Sequence, residues 1–204
     1  RALAGAQVRD VLAVWKGLGY NRRALHLKQA AEAIVERHGG RVPRCMEQLI
    51  ALPGVGRATA CAVLAYAFNL PVAFIETNIR RVHIHFFFPG GGPVSDGELL
   101  PIVERTLDRK NPRDWYDALM DYGTALRTSG EDPNRRSTRY RRQAPFEGSV
   151  RQARGRVLGA LLAGRALDYK TLEVATSVRD GRLAVALAQL EQEGFIRRLG
   201  KAHS

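Results

Sequence analysis

Residues 52 to 60 read Leu-Pro-Gly-Val-Gly-Arg-Ala-Thr-Ala, and this stretch constrains the fold more than any other. Gly54 and Gly56 set a tight turn between a short apolar segment (Met46, Leu49, Ile50, Leu52) and an uncharged run from Ala58 to Phe68. Glycine reaches positive φ without a Cβ clash and lets another backbone or an anion come close. A run that is apolar on most sides predicts a central buried helix. The first amides of such a helix lack partners, and the helix dipole favours an anion there. Gly54, Val55, Gly56, Arg57 and Thr59 are therefore candidate phosphate contacts. A bare Gly-x-Gly turn also joins helices with no ligand, so its meaning depends on what surrounds it.

Charge supplies part of that context. Lys and Arg outnumber Asp and Glu by 32 to 20, a formal net charge of +12. Such an excess fits a polyanionic partner, nucleic acid before membrane, because neutralising phosphates releases counterions. No run of about eighteen apolar residues exists, so no bilayer-spanning helix and no membrane partner are expected. There is no secretory signal pattern. A hydrophobic fraction of 45% over 204 residues is enough for one large core or two small ones. Cys45 and Cys61, the only cysteines, lie among apolar residues and read as reduced, buried and inert. The expected location is cytoplasmic, or nucleoid-associated in a prokaryote. The chain begins at Arg1 inside an amphipathic stretch, which reads as the start of a fragment.

Nearly every segment reads helical, and no useful alternating pattern appears before residue 190. Val8, Val11, Leu12 and Trp15 share a face that ends at Gly17. Residues 22 to 38 predict a long helix with Leu25, Leu27, Ala30, Ala31, Ile34 and Val35 inward, stopped by Gly39 and Gly40. Asn78 to Phe88 predicts another, closed by Pro89. Ser95 with Glu98 three residues on reads as a capping box, opening a helix to about Asp108. Asn111-Pro112 starts one that runs to about Leu126.

Residues 127 to 149 break the pattern and read as a basic linker. Arg135, Arg136, Arg139, Arg141 and Arg142 are interleaved with Tyr140 and Phe146, which favours DNA contact over a merely solvated loop. Residues 150 to 204 read as a separate small unit: helices around Val157, Leu172 and Leu187, then an extended piece at 194–196. A winged helix and a plain helical cap both fit.

With these features together, the chain resembles the helix-hairpin-helix DNA glycosylase superfamily, nearest the MutY family of adenine glycosylases and its relative endonuclease III. The matching text is Trp15-Lys-Gly-Leu-Gly-Tyr20, Asn21-Arg-Arg-Ala24, Leu52 to Ala60, Ile75-Glu-Thr-Asn-Ile-Arg-Arg-Val82 and Ala118-Leu-Met-Asp-Tyr-Gly123, in the family's order. It covers roughly residues 1 to 126, the expected glycosylase core; the linker and tail match much less. The resemblance implies an all-α fold and a base-excision-repair enzyme acting on double-stranded DNA as a monomer. Its substrate would be a mispaired or damaged base, with adenine opposite 8-oxoguanine leading by resemblance. The alternative is a non-catalytic DNA- or lesion-binding protein with the same hairpin.

Residue roles follow from the resemblance too. Glycosidic cleavage passes through an oxocarbenium-like cation, and a carboxylate beside C1′ stabilises it. Where the family has aspartate, this chain has Glu76, one methylene longer; an acid complementing a helix dipole is the plainer reading of the same residue. Bifunctional relatives place a lysine nucleophile where this chain has Ala58, so the monofunctional branch, which uses water, is expected. Tyr20 would line the base pocket, or else pack in the core. The family's general-acid glutamate has no matching segment here and is expected before Arg1. Many relatives hold a [4Fe–4S] cluster on four closely spaced cysteines; 127–149 has none, so no cluster and no other metal is expected. A monovalent cation near Leu52, Pro53 and Val55 stays open.

Overall fold

The computed structural model describes residues 1–130, 132–163, 166–179 and 181–199. In chain order the helices are α1 (Ala2–Gly5), α2 (Val8–Trp15), α3 (Arg22–His38), α4 (Met46–Ile50), α5 (Arg57–Phe68), α6 (Thr77–Phe87), α7 (Asp96–Thr106), α8 (Pro112–Thr128), α9 (Val150–Leu162), α10 (Tyr169–Thr176) and α11 (Arg182–Gln192). A 3₁₀ turn spans Pro133–Arg136. Among the described residues there is no strand, only one isolated bridge between Val94 and Ser137. The fold is all-α. The chain divides into two compact units: one of residues 1–32 and 143–204, the other of residues 33–142. These limits cut across the composition breaks at 127 and 150.

The second unit is built around α5, α6 and α8. Its core joins Cys61 and Ala65 of α5, Ile79 and Val82 of α6, Val103 of α7, and Tyr116, Leu119 and Leu126 of α8. The expected central buried helix is only partly so: α5 buries Ala60, Cys61, Leu64 and Ala65, whereas Arg57, Ala58, Thr59 and Ala67 are exposed. Asn69 ends it in the left-handed region at φ 54°. The Asn69 Oδ1 accepts the Arg113 amide at 3.0 Å, and Arg113 Nε donates to the Tyr66 carbonyl at 2.7 Å. The open end of α5 is thereby tied to the start of α8. The capping box at Ser95 and Glu98 forms as expected, although α7 stops at Thr106 rather than Asp108.

Three ties around α6 were not visible in the periodicity. Arg80 grips Asp96 with two hydrogen bonds of 2.7 and 3.0 Å. Its guanidinium, with Arg139 beside it, holds the Asp96 carboxyl below the usual carboxylate range. Buried Arg81 donates to Asp132 Oδ1 at 2.8 Å, to the Gly123 carbonyl at 2.9 Å and to Asn78 Oδ1. At Gly123 α8 rides directly on α6: a Cβ added there would sit 2.6 Å from Asn78 Cβ.

The first unit has its own core, formed by Ala153, Val157 and Leu158 of α9, Leu172 of α10, Val178, and Leu183, Ala186 and Leu190 of α11. The three tail helices form where expected. Among the described residues no strand follows α11, and residues 196–199 have no regular secondary structure. Some inward assignments fail. Leu27 and Val35 on α3 are exposed, while Ala24, Ala30 and Ala33 carry the buried face of α3. The buried stripe sits about a residue off and is carried by alanines.

Candidate active site and nucleic-acid interface

The two-glycine turn is built as the sequence suggests. Gly54 has φ 72°, a conformation side chains resist, and Val55 N–H closes the turn on the Leu52 carbonyl at 3.1 Å. Gly56 is extended and starts α5 without a side-chain cap. The first bond into the helix runs from Ala60 N–H to the Gly56 carbonyl at 2.9 Å. The amides of Arg57, Ala58 and Thr59 thus have no helical acceptor, and all three residues are exposed. Positive dipole end, free amides and a cationic Arg57 share one surface, which suits a phosphate.

Glu76 is the N-cap of α6. Its Oε1 accepts the amides of Asn78 and Ile79, the latter at 2.9 Å. Both contacts use one oxygen, and Oε2 has no protein partner among the described residues. The carboxylate is half-buried. A glutamate here caps the helix through one oxygen and leaves the other without a protein partner among the described residues. Tyr66 of α5 is electrostatically coupled to it: burial, with Asp117 and Glu76 adding, pushes the phenol up to about 12. Its hydroxyl is buried without a hydrogen-bond partner.

The rest of α6 holds this cap in place. Asn78, whose amide binds Glu76, also contacts Met120 Sδ through Nδ2 at 3.6 Å and lies against Gly123. Asn78, Arg81 and Gly123 are the supporting residues that spacing alone did not single out. The signal was a glycine in the middle of a helix, where it costs stability unless something must come close.

Residues 127–149 are no free linker throughout. Asn134 and Ser137 are buried, and Val94 exchanges backbone bonds with Arg136 and Thr138 at 2.9 and 3.0 Å. The expected arginines therefore separate. Arg136 donates to the carbonyls of Phe88 and Gly92, closing the end of α6. Arg139 pairs with Asp96 at 3.0 Å although its side chain is exposed. Arg141 folds onto the Thr138 and Tyr140 carbonyls at 3.3 and 2.9 Å. Arg135 and Arg142 are exposed, and neither side chain has a partner among the described residues.

Tyr20 belongs to the first unit. It is 65% exposed, so it is no core tyrosine. Its ring lies 5.5 Å from the Arg23 guanidinium and its hydroxyl takes a hydrogen bond from Gln143. Cys61 is buried, which raises its thiol, but Cys45 is only partly so. The residues present do not fit an iron–sulfur cluster: the only cysteines are Cys45, just before α4, and Cys61, in the core, and no cysteine lies between Arg127 and Ser149. No group of three potential metal ligands occurs among the described residues. His83 is buried instead, bonded to the Ile79 carbonyl at 2.7 Å and Thr106 Oγ1 at 3.1 Å.

An all-helical core with a two-glycine turn feeding one helix and an acidic cap opening the next is the arrangement of the helix-hairpin-helix DNA glycosylases. No family model matches the chain. The adenine DNA glycosylase of Mycobacterium tuberculosis is 33% identical over 213 residues, covering 92% of this chain and 69% of that protein. The adenine DNA glycosylase of Homo sapiens is 35% identical over 130 residues, covering 62% of this chain and 24% of its own length. A solved thermostable thymine-DNA glycosylase has a TM-score of 0.49 at 27% identity, over 59% of this chain and 57% of that one. The chain belongs to the adenine DNA glycosylase family.

Proposed function

We propose that this protein is a monofunctional base-excision DNA glycosylase that hydrolyses the N-glycosidic bond of a mispaired or damaged base, adenine opposite 8-oxoguanine being the leading substrate. The observation that carries the reading is Glu76, fixed through Oε1 while Oε2 is left unpaired. As the base leaves, positive charge grows on the sugar, and a carboxylate already held in place stabilises it without reorganising. Gly54, Gly56 and the exposed amides of Arg57 to Thr59 hold a backbone phosphate. Ala58 offers no amine to attack C1′, so water completes the reaction and the strand stays intact. The base must leave the stack to reach such a site. Double-stranded DNA is the partner, Arg135 and Arg142 add sequence-independent contacts, and the protein acts as a monomer wherever the chromosome lies. It works without an iron–sulfur cluster; a monovalent cation on the carbonyls of the 52–55 turn is compatible, since Leu52 spends one lone pair on Val55.

A second reading, non-catalytic DNA binding, draws on the same cap: capping alone is a sufficient structural reason for an acid at position 76. Glu76→Gln separates the two. Base release from an A·8-oxoguanine duplex, scored after alkali, should fall roughly 100- to 1,000-fold while duplex affinity holds. No cleavage without alkali and no borohydride-trapped adduct should be seen. Undiminished release in Glu76→Gln would place the catalytic carboxylate elsewhere; tight lesion binding with no release from any duplex would favour the second reading.

A further inference from the structure

Arg81 of α6 is a guanidinium at 4% exposure that no step of the proposed reaction uses. Its Nε donates to Asp132 Oδ1 at 2.8 Å, and its Nη1 donates to the Gly123 carbonyl at 2.9 Å and to Asn78 Oδ1. A charge so buried is costly unless a counter-charge meets it. Asp132, with its side chain 18% exposed, supplies that charge. All of these residues, with Glu76, belong to one compact unit. Asp132 stands at the N-cap of the 3₁₀ turn Pro133–Arg136. An aspartate at the head of a helical turn ordinarily accepts that turn's amides, but Asp132 makes no such bond. The turn is fixed by other means: Asn134 is buried, and Val94 exchanges backbone bonds with Arg136 and Thr138. The Asp132 carboxylate is thus given to α6 by a segment that is itself held in place.

The other end of the guanidinium meets Asn78. The Asn78 Nδ2 rests on Met120 Sδ at 3.6 Å, a weak acceptor, so Arg81 is the strong contact that sets its side chain. The backbone N–H groups of Asn78 and Ile79 together hold Glu76 Oε1. A line of contacts therefore runs from Asp132 through Arg81 and Asn78 to the carboxylate whose Oε2 is left unpaired. A buried ion pair adds little net stability over apolar groups of the same size, so stability alone is a weak reason for this one.

Taking Glu76 as the catalytic carboxylate, as the function proposed above does, we propose that Asp132 is a positioning residue for base excision. Asp132 fixes Arg81, Arg81 fixes Asn78, and the amides of Asn78 and Ile79 then hold one oxygen of Glu76 so that the other faces the sugar. The segment after α8 thereby governs the acid at the head of α6 through side chains alone.

The whole chain is assayed for single-turnover base release at saturating enzyme, for duplex affinity, and for hydrogen exchange at the Asn78 and Ile79 amides. Both amides lie in the first turn of α6 without helical acceptors, so their protection reports the Glu76 bond whatever reaction the site performs. Asp132→Ala should slow release by up to about 100-fold, the cost of about an ångström of misplacement, leave affinity unchanged and speed exchange at both amides. It also leaves a buried guanidinium unmatched, which lowers the thermal midpoint, so a second variant separates the two effects. Arg81→Met with Asp132→Leu removes the whole pair, which spares the midpoint, and should slow release as much. Arg80→Met with Asp96→Leu removes the neighbouring pair of α6, which does not reach Asn78, and should leave release unchanged. In a Glu76→Gln chain, removing the Arg81–Asp132 pair should cost nothing further, because its effect passes through Glu76. Wild-type release in the protein lacking the Arg81–Asp132 pair, equal losses from the two pairs, or a full further loss in the Glu76→Gln chain would overturn the proposal. A wild-type protein that releases no base, with exchange at Asn78 and Ile79 faster in Asp132→Ala, sinks the glycosylase reading and keeps the positioning of Glu76. An active wild type with release and exchange untouched in Asp132→Ala sinks the role of Asp132 alone.

Discussion

Replacing Gly123 by alanine tests whether α8 must touch α6 where the cap is held. Two effects oppose each other. Alanine in a helix interior is favoured over glycine by roughly 0.5–1 kcal/mol. Against that, the new methyl would meet Asn78 Cβ at 2.6 Å and Asn78 Cα and O at 2.9 Å. These are backbone or near-backbone atoms, which cannot rotate away, so the helices must part by about an ångström. Overpacking of this kind costs about 1–3 kcal/mol. The same movement stretches the 2.9 Å bond from Arg81 to the Gly123 carbonyl, a charged buried contact. The clash wins, and a net loss of about 1–2 kcal/mol should lower the thermal midpoint by about 2–8 °C for a chain of this size. Base release should fall further than stability, because Asn78 supplies an amide to Glu76 and a misplacement near an ångström can cost about 100-fold. Calorimetry and single-turnover release at a temperature where the variant is folded read the two effects separately. Thr124→Ala, one residue on and exposed, should change little in either. A Gly123→Ala protein as stable and active as wild type would refute direct contact between the helices at this point.

The arginines of 135–142 should divide by partner. Arg135→Ala with Arg142→Ala should flatten the salt dependence of duplex binding by up to about 1.8, at about 0.9 per phosphate, with an unchanged melting midpoint. Arg136→Ala, which uncaps the carbonyls of Phe88 and Gly92, should lower the midpoint instead; a purely electrostatic phenotype there would contradict its internal role. Burial lowers the proton affinity of His83 below its ordinary 6.5. The unfolded chain then binds the proton more readily, so this stabilisation is complete above about pH 6.5 and is lost as pH falls toward the folded value. Urea midpoints should decline below that pH, and His83→Gln should flatten the decline; an identical pH profile would remove His83 from the balance.

The sequence by itself determined the local features. A two-glycine turn, an uncharged helix after it, a Ser–Glu capping box and a proline at the head of α8 are each decided within about four residues. The interactions that fix them are backbone conformation and near-neighbour hydrogen bonds, so they were legible without a fold. The register of the adenine-glycosylase motifs placed Glu76 at the start of α6 for the same reason. What only the tertiary structure decided concerns partners far apart in the chain. Arg80 with Asp96, Arg81 with Asp132 and Gly123, and Arg136 with Phe88 could equally have been solvated charges, since no local pattern distinguishes a buried guanidinium from a free one. The same holds for α3, where the buried stripe follows small alanines rather than the larger Leu27 and Val35. Residues 1–32 joining 143–204 in one compact unit is likewise a packing outcome. Burial depends on which surfaces meet, and a one-dimensional pattern records only which surfaces are available.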